Sequence, residues 1–343
     1  MKKFLSLALA CMMALSLVAC GDKNGSEGAA DGNNTEGGDK PIKVSVFAGS
    51  LPKNTPTGAG VEFFVNELNE KSGGSIQATA FYDTELGDAT SMIQGLQQGT
   101  VDIGVCGDAY YSGLVPEIQA FELPFIFENI DAAREAVNGP AKDVIFDLLA
   151  EKGIVGLSFW EGGMRQLSNN VRPIKTPADL KGIPMRTLPA AVQVAAWKAL
   201  GALPTSIDSS ELYSALELGT VSAQENPLSE IEFRKFYEVQ DYVSLTNHVY
   251  TPFLLSMSKM TWDKMSEDQR QIVMDAAVAA QEVQRNAAAE ADAAAKQILL
   301  DNGVQIEEAP DIAAFRDMTA SVYSIFTEQC PDHGQELIDL IRG

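Results

Sequence analysis

The sequence predicts an α/β fold of two lobes, and three observations carry that expectation. After a leader of about forty residues the chain opens on a strand–helix–strand pattern. A helix–glycine–strand unit then occurs twice, far apart. Near the C-terminus one uninterrupted helix is long enough to run across a two-lobed body.

Ile42 to Ala48 (IKVSVFA) alternates apolar and polar residues and reads as the first strand. Helical spacing follows from about Gly58 to Lys71 and stops at the pair Gly73-Gly74, and Ile76 to Tyr82 is the next strand. The repeated unit is S-M-I-Q-G-L-Q-Q-G-T-V-D-I-G-V (Ser91 to Val105) and E-L-Y-S-A-L-E-L-G-T-V-S-A-Q-E (Glu211 to Glu225). Each is an amphipathic helix, a glycine C-cap (Gly99, Gly219), Thr-Val and a strand. Ile154 to Trp160 is strand-like. Thr176-Pro177 starts a short helix ending at Gly182, and Ile183 to Leu188 extends as a strand. Ser266 with Gln269 forms a capping box for a helix that runs without proline or glycine from Glu267 to Asn302, stops at Gly303 and would extend about 50 Å. Its alanine-rich middle sustains no heptad, which weakens a coiled-coil reading. A strand (Val304 to Ile306) and a helix (about Asp311 to Gln329) close the chain.

Before this body, Lys2 and Lys3 precede an apolar run, Phe4 to Val18, too short for a confident membrane span and suited to a signal-peptide core. It ends Leu17-Val18-Ala19-Cys20, the pattern of a bacterial lipoprotein signal, so Cys20 is expected to be lipidated. Gly21 to Lys40 has no large apolar residue and reads as a flexible tether. The expected product is an extracytoplasmic protein, lipid-anchored at the cell membrane. The division expected is signal 1–19, anchor and tether 20–40, a first lobe of 41–161 plus 251–290, and a second of 162–250 plus 291–343.

The formal charge of −22 argues against nucleic acid, since no basic stripe is available to displace counterions. It also means that any anionic ligand must be held by local, well-aimed cations. Two histidines, His248 and His333, have no zinc spacing, and there is no nucleophile elbow, P-loop, EF-hand or dinucleotide fingerprint. In so acidic a chain some proximity of carboxylates is expected by chance. No enzyme activity, metal or cofactor is expected. Cys106 and Cys330 are expected to be free, partly buried thiols.

Arg186 interrupts an apolar strand near its C-terminal end, where ligands sit in open α/β sheets. A guanidinium there can grip a carboxylate through two parallel hydrogen bonds. Arg165 follows the glycine pair of G-G-M-R-Q-L-S, whose backbone can approach a ligand closely. Asn226, at the end of S-A-Q-E-N-P, offers an amide donor.

These stretches and others resemble the solute receptors of tripartite ATP-independent periplasmic (TRAP) transporters. The motifs are L-P-F-I-F (Leu123 to Phe127), G-G-M-R-Q-L-S-N, K-T-P-A-D-L-K-G-I-P-M-R, A-L-G-A-L-P-T, E-L-Y-S-A-L-E-L-G-T-V, Q-E-N-P, F-Y-E-V-Q and T-N-H, in order from about Val44 to Trp262. The resemblance implies a periplasmic-binding-protein-like fold whose two lobes, joined by crossing strands and a long helix, close on the ligand. It implies that Arg186 forms the salt bridge with the ligand carboxylate, assisted by Arg165 and Asn226, and that the loaded form docks on TRAP membrane subunits. The family is usually monomeric. Two departures bear on local geometry. Val221-Ser222-Ala223 stands where Val-Asp-Gly is common, and Pro184 removes a ladder donor.

For the other end of the ligand the first lobe offers Glu85, Asp88, Asp108 and Tyr110, with Trp160 as an apolar wall. Acidic side chains suit hydroxyl groups and repel a second carboxylate, which favours a hexuronate or another sugar acid. A C4-dicarboxylate or 2-oxo acid is the alternative. A diacid would want a second cation, and Lys53 and Arg234 have no motif support. A ligand sensor and an extracellular glycosidase are the rival functions.

Overall fold

Strand β1 (Ile42–Gly49) begins the described part of the molecule: the computed structural model describes residues 40–343, so the signal-like leader, Cys20 and the tether lie outside the described residues. β1 pairs in parallel with β2 (Ile76–Asp83) over its full length, Ile42 opposite Ile76 and Gly49 opposite Asp83. Helix Pro56–Lys71 makes the crossover. The Thr55 side chain accepts from the Gly58 amide at 3.2 Å to cap its start, and Gly73 and Gly74, at φ 59° and 90°, end it.

The remaining strands are β3 (Ile103–Gly107), β4 (Ile154–Met164), β5 (Gln166–Asn169), β6 (Pro184–Thr187), β7 (Leu203–Ser206), β8 (Ala223–Asn226), β9 (Tyr242–Ser244), β10 (Tyr250–Ser258) and β11 (Gln305–Glu307). They form two sheets, ordered β2-β1-β3-β10-β4 and β11-β9-β5-β8-β6-β7. In each, three parallel strands (β2-β1-β3 and β7-β6-β8) are followed by an antiparallel one, β10 or β5. The chain passes from the first sheet to the second between β4 and β5, through Arg165, and returns between β9 and β10. These two crossing strands pair with each other in both sheets. Pro184 is tolerated because it opens β6.

The repeated unit is a repeated turn. Gly99 and Gly219 sit at φ 71° and 70°. After the first, the Thr100 and Val101 amides donate to the Gly95 carbonyl (2.9 and 3.2 Å); after the second, Thr220 and Val221 donate to Ala215 (2.9 and 3.4 Å). The turns lead into β3 and β8, which hold equivalent places in the two sheets.

Helix Glu267–Asp301 has the expected capping box, with Ser266 and Gln269 bonding reciprocally. Its first half buries Val273, Ala276, Ala277 and Ala280 in the first-lobe core, and its end buries Ala295 and Leu299 in the second. Small residues let it lie close to its neighbours: a Cβ on Gly60 would come within 2.8 Å of Gln284 and 2.9 Å of Trp160. Gln284 itself is wholly buried and brackets the Glu161 backbone, donating to its carbonyl and accepting from its amide, both at 2.7 Å.

The C-terminus differs from expectation. The single helix expected from Asp311 to Gln329 is two, Ile312–Thr319 and Val322–Gln329. At the break the Thr319 hydroxyl bonds back to the Phe315 carbonyl at 2.9 Å, a contact that bends helices. A further amphipathic helix, Gly334–Arg342, follows and buries Leu337, Ile338 and Ile341. Val322, Phe326 and those three residues join a core that contains Ile145 and Leu149 of helix Pro140–Glu151. The same core takes in Leu188, Val192 and Ala196, so the tail packs on residues from both expected lobes. Cys106 and Cys330 are both free and buried in this core.

Candidate functional site

The carboxyl ends of β1, β3 and β8 face one another across the junction of the lobes. Gly49, Ser50, Leu51, Gly107 and Tyr110 from the first lobe meet Arg165, Leu188, Ser209, Asn226, Glu230 and Arg234 from the second around a cavity of about 20 Å³. That is room for a water and not for an organic acid, so entry requires the lobes to part. Side chains bridge them. The Tyr110 hydroxyl lies 3.0 Å from Ser209 Oγ and accepts from the Ser209 amide at 3.0 Å. Ser50 Oγ donates to Asp208 Oδ1 at 2.9 Å, and Arg234 Nη2 donates to the Ser50 carbonyl at 2.8 Å.

Arg186 is wholly buried and does not itself line the cavity, which it reaches through Ser209. Its Nε donates to the Ile207 carbonyl (2.9 Å) and its Nη2 to Ser209 Oγ (3.0 Å), while Nη1 is buried with no partner. Burial lowers its pKa from the usual arginine value, and Arg165 and Arg234 push the same way. Arg186 is therefore a cation with a spare donor and no carboxylate of its own.

Arg165 contrasts with it. It leaves the crossing strand with its amide bonded to Val249 O at 2.9 Å, and its guanidinium grips Glu225 on β8 through Nε–Oε2 and Nη2–Oε1, the latter at 3.0 Å. Its Nη2 also donates to Asn226 Oδ1 at 2.9 Å. Burial opposes the charge of both partners, yet the pair wins. Arg165 is held above its usual pKa, and Glu225, with Arg165 and the nearby His248 ring acting on it, is held down to about 2. His248, from T-N-H, sets its Nε2 3.4 Å from Glu225 Oε2 while Nδ1 meets Thr246 Oγ1 at 2.7 Å.

The glycine pair serves the chain more than the cleft. A Cβ on Gly162 would come within 2.0 Å of the Thr251 carbonyl, and Gly163 sits at φ 102°, so the pair admits the β4–β10 approach and the turn that aims Arg165. Asn226 lines the cavity, but its amide nitrogen donates to Gln224 Oε1.

Among the first-lobe candidates Tyr110 lines the cavity and the others do not. Glu85 is exposed and folds back onto the Tyr82 amide (2.7 Å) in the turn after the edge strand β2. Asp88 caps helix Ala89–Gln98 by accepting from the Ser91 amide at 2.7 Å, and the Ser91 side chain, then that amide, lower its pKa. Trp160 points into the first-lobe core, the opposite way from Phe159 before it, as strand alternation requires. Asp108 is wholly buried, and neither carboxylate oxygen has a partner. Burial, and then the neighbouring Glu122, raise its pKa well above the carboxylate range.

Sequence reasoning missed the role of Glu225 and set aside Arg234. Arg234 Nε donates to Glu230 Oε2 at 2.8 Å, and both line the cavity. Lys53, the other candidate cation, is exposed and pairs with Glu62 at 2.6 Å. Among the described residues no His/Cys/Asp/Glu group is placed to hold a metal, and no helix is long and apolar enough to cross a membrane.

The family model described as bacterial extracellular solute-binding protein, family 7, matches residues 47–329. The chain is 33% identical over 279 residues, covering 81% of it and 85% of the relative, to the 2,3-diketo-L-gulonate-binding periplasmic protein of Escherichia coli. Among solved structures it is similar to a TRAP periplasmic solute-binding protein from a Sulfitobacter species with bound β-D-galacturonate (31% identity, TM-score 0.84, 88% of this chain and 99% of that one). It is also similar to one from Sulfurospirillum deleyianum with bound succinate (31% identity, TM-score 0.82, 88% and 98%).

Proposed function

The chain belongs to the bacterial extracellular solute-binding proteins of family 7, the receptors of TRAP transporters, and from that membership we propose that it captures a hexuronate or another sugar acid between its lobes and delivers it to the transporter's membrane subunits. Arg186 anchors the ligand carboxylate, with Arg165 and Asn226 beside it. The observation that carries this reading is the charge count at the cleft. Arg165 is matched by Glu225 and Arg234 by Glu230, while Arg186 has an unpartnered Nη1 and no carboxylate. One uncompensated guanidinium suits a ligand with one negative charge. Tyr110, Ser50, Ser209 and Asp208 supply hydroxyls and an acceptor for ligand hydroxyl groups. Closure excludes water and strengthens the ion pair.

A relative with bound β-D-galacturonate and a 2,3-diketo-L-gulonate-binding one support the sugar-acid class. The leader and Cys20 support a lipid tether that keeps the receptor near the membrane. A thermal-shift screen of hexuronates, aldonates, C4-dicarboxylates, 2-oxo acids and neutral sugars tests the proposal, since a ligand that binds only the native state raises the midpoint by mass action. The expected result is a shift with a hexuronate or aldonate and none with the neutral parent sugar. A shift with diacids alone would overturn the ligand assignment, and no shift with any acid would overturn the receptor assignment.

A further inference from the structure

Arg234 and Glu230 are the pair that the proposed capture of a monocarboxylate leaves unused. They stand one turn apart on helix Leu228–Phe233 and its C-cap, both line the cavity, and their side chains are 11% and 9% exposed. Nε of Arg234 is engaged by Glu230 Oε2 at 2.8 Å. Nη2 reaches the Ser50 carbonyl at 2.8 Å, and Nη1 the Ser209 carbonyl at 3.4 Å. Ser209 is also the residue on which Arg186 rests. Two guanidiniums thus flank one serine, and only one of them has a carboxylate.

Resting on the receptor reading above, we propose that Glu230 sets the charge class of the ligand. By holding Arg234 it withholds the second cation of the cleft, so the site takes monocarboxylates and turns dicarboxylates away. A buried guanidinium stripped of its counter-charge is unstable until another anion reaches it. A second ligand carboxylate is such an anion, and it would meet Arg234 at the cavity wall. With Glu230 in place the same carboxylate meets a pair already neutral and a like charge beside it.

The test is calorimetric titration of D-galacturonate and succinate into wild type and Glu230→Gln, whose amide keeps the shape and loses the charge. The ratio of succinate to galacturonate affinity is expected to rise at least about tenfold in the variant. The double variant Glu230→Gln/Arg234→Gln, which removes both charges, should lose that gain. A gain that persists there would show that Arg234 is not the cation and would overturn the proposal. Where the amide variant does not fold, Glu230→Asp draws the carboxylate back from Nε and should move the ratio the same way to a smaller degree. Monoacid binding with an unchanged ratio in the folded variants overturns this proposal alone. Failure of wild type to bind any acid overturns the receptor reading and this proposal with it.

Discussion

Asp108 and Glu225 are both wholly buried carboxyls at the carboxyl ends of equivalent strands, β3 in the first lobe and β8 in the second. Their chemistry is opposite. Asp108 has no cation bonded to it, shares its surroundings with Glu122, and is pushed well above the carboxylate range. Glu225 has Arg165 clamped on it and is held down to about 2. The two sheets repeat one topology, so the backbone does not make this difference. Side chains contributed by the crossing strand do. The second lobe carries the paired and unpaired guanidiniums of the junction, Arg165, Arg186 and Arg234, and the first brings the Tyr110 and Ser50 hydroxyls against them, with the Asp108 and Glu122 carboxyls, whose pKa values burial raises, away from the cavity wall.

Removing Arg165 breaks the contrast most severely. Arg165→Met leaves Glu225 buried and uncompensated and should cost about 3–5 kcal/mol of stability, read by urea unfolding. A loss within experimental error would mean that Glu225 is not held by Arg165.

The pH dependence sharpens the contrast with a smaller effect. Glu225 has a folded-state pKa below its unfolded value, so its contribution is present above the unfolded value of about 4.5 and is lost as pH falls toward about 2. That window is worth roughly 3 kcal/mol. Asp108 has the opposite sign. Its folded-state pKa is raised, so its contribution is present at pH below the unfolded value and is lost as pH rises through the folded one. Glu225→Gln should therefore flatten the acid limb of the stability profile, and Asp108→Asn should raise stability on the neutral side. Unfolding midpoints across pH 2.5 to 8 check both, and the same slope in both variants would erase the distinction between the lobes.

Much of this organisation was legible in the sequence because it rests on local chemistry. Capping residues, glycine stops and alternation marked the strands, the Ser266–Gln269 box and the repeated Gly-Thr-Val turns. Arg186 was visible because a lone guanidinium in an apolar strand is anomalous. What the sequence hid depends on pairing at a distance. Glu225 sits in a motif that was quoted for Asn226, and its role appears only when the crossing strand brings Arg165 beside it. Arg234 was considered only as a second cation without motif support, and its pairing with Glu230 appears only when their helix is seen to line the cavity. Trp160 was misjudged because alternation says that successive side chains face opposite ways without saying which face is the cleft. The helix Gly334–Arg342, which buries Leu337, Ile338 and Ile341, was not among the expected elements, although those three residues fall at helical spacing.

Arg186 is proposed to hold the ligand carboxylate. Calorimetric titration of D-galacturonate into wild type and Arg186→Ala, with urea unfolding of both as a control, tests it most directly. The account predicts binding to wild type and none measurable to the variant, with the variant still folded. Retained affinity in a folded Arg186→Ala protein would contradict it.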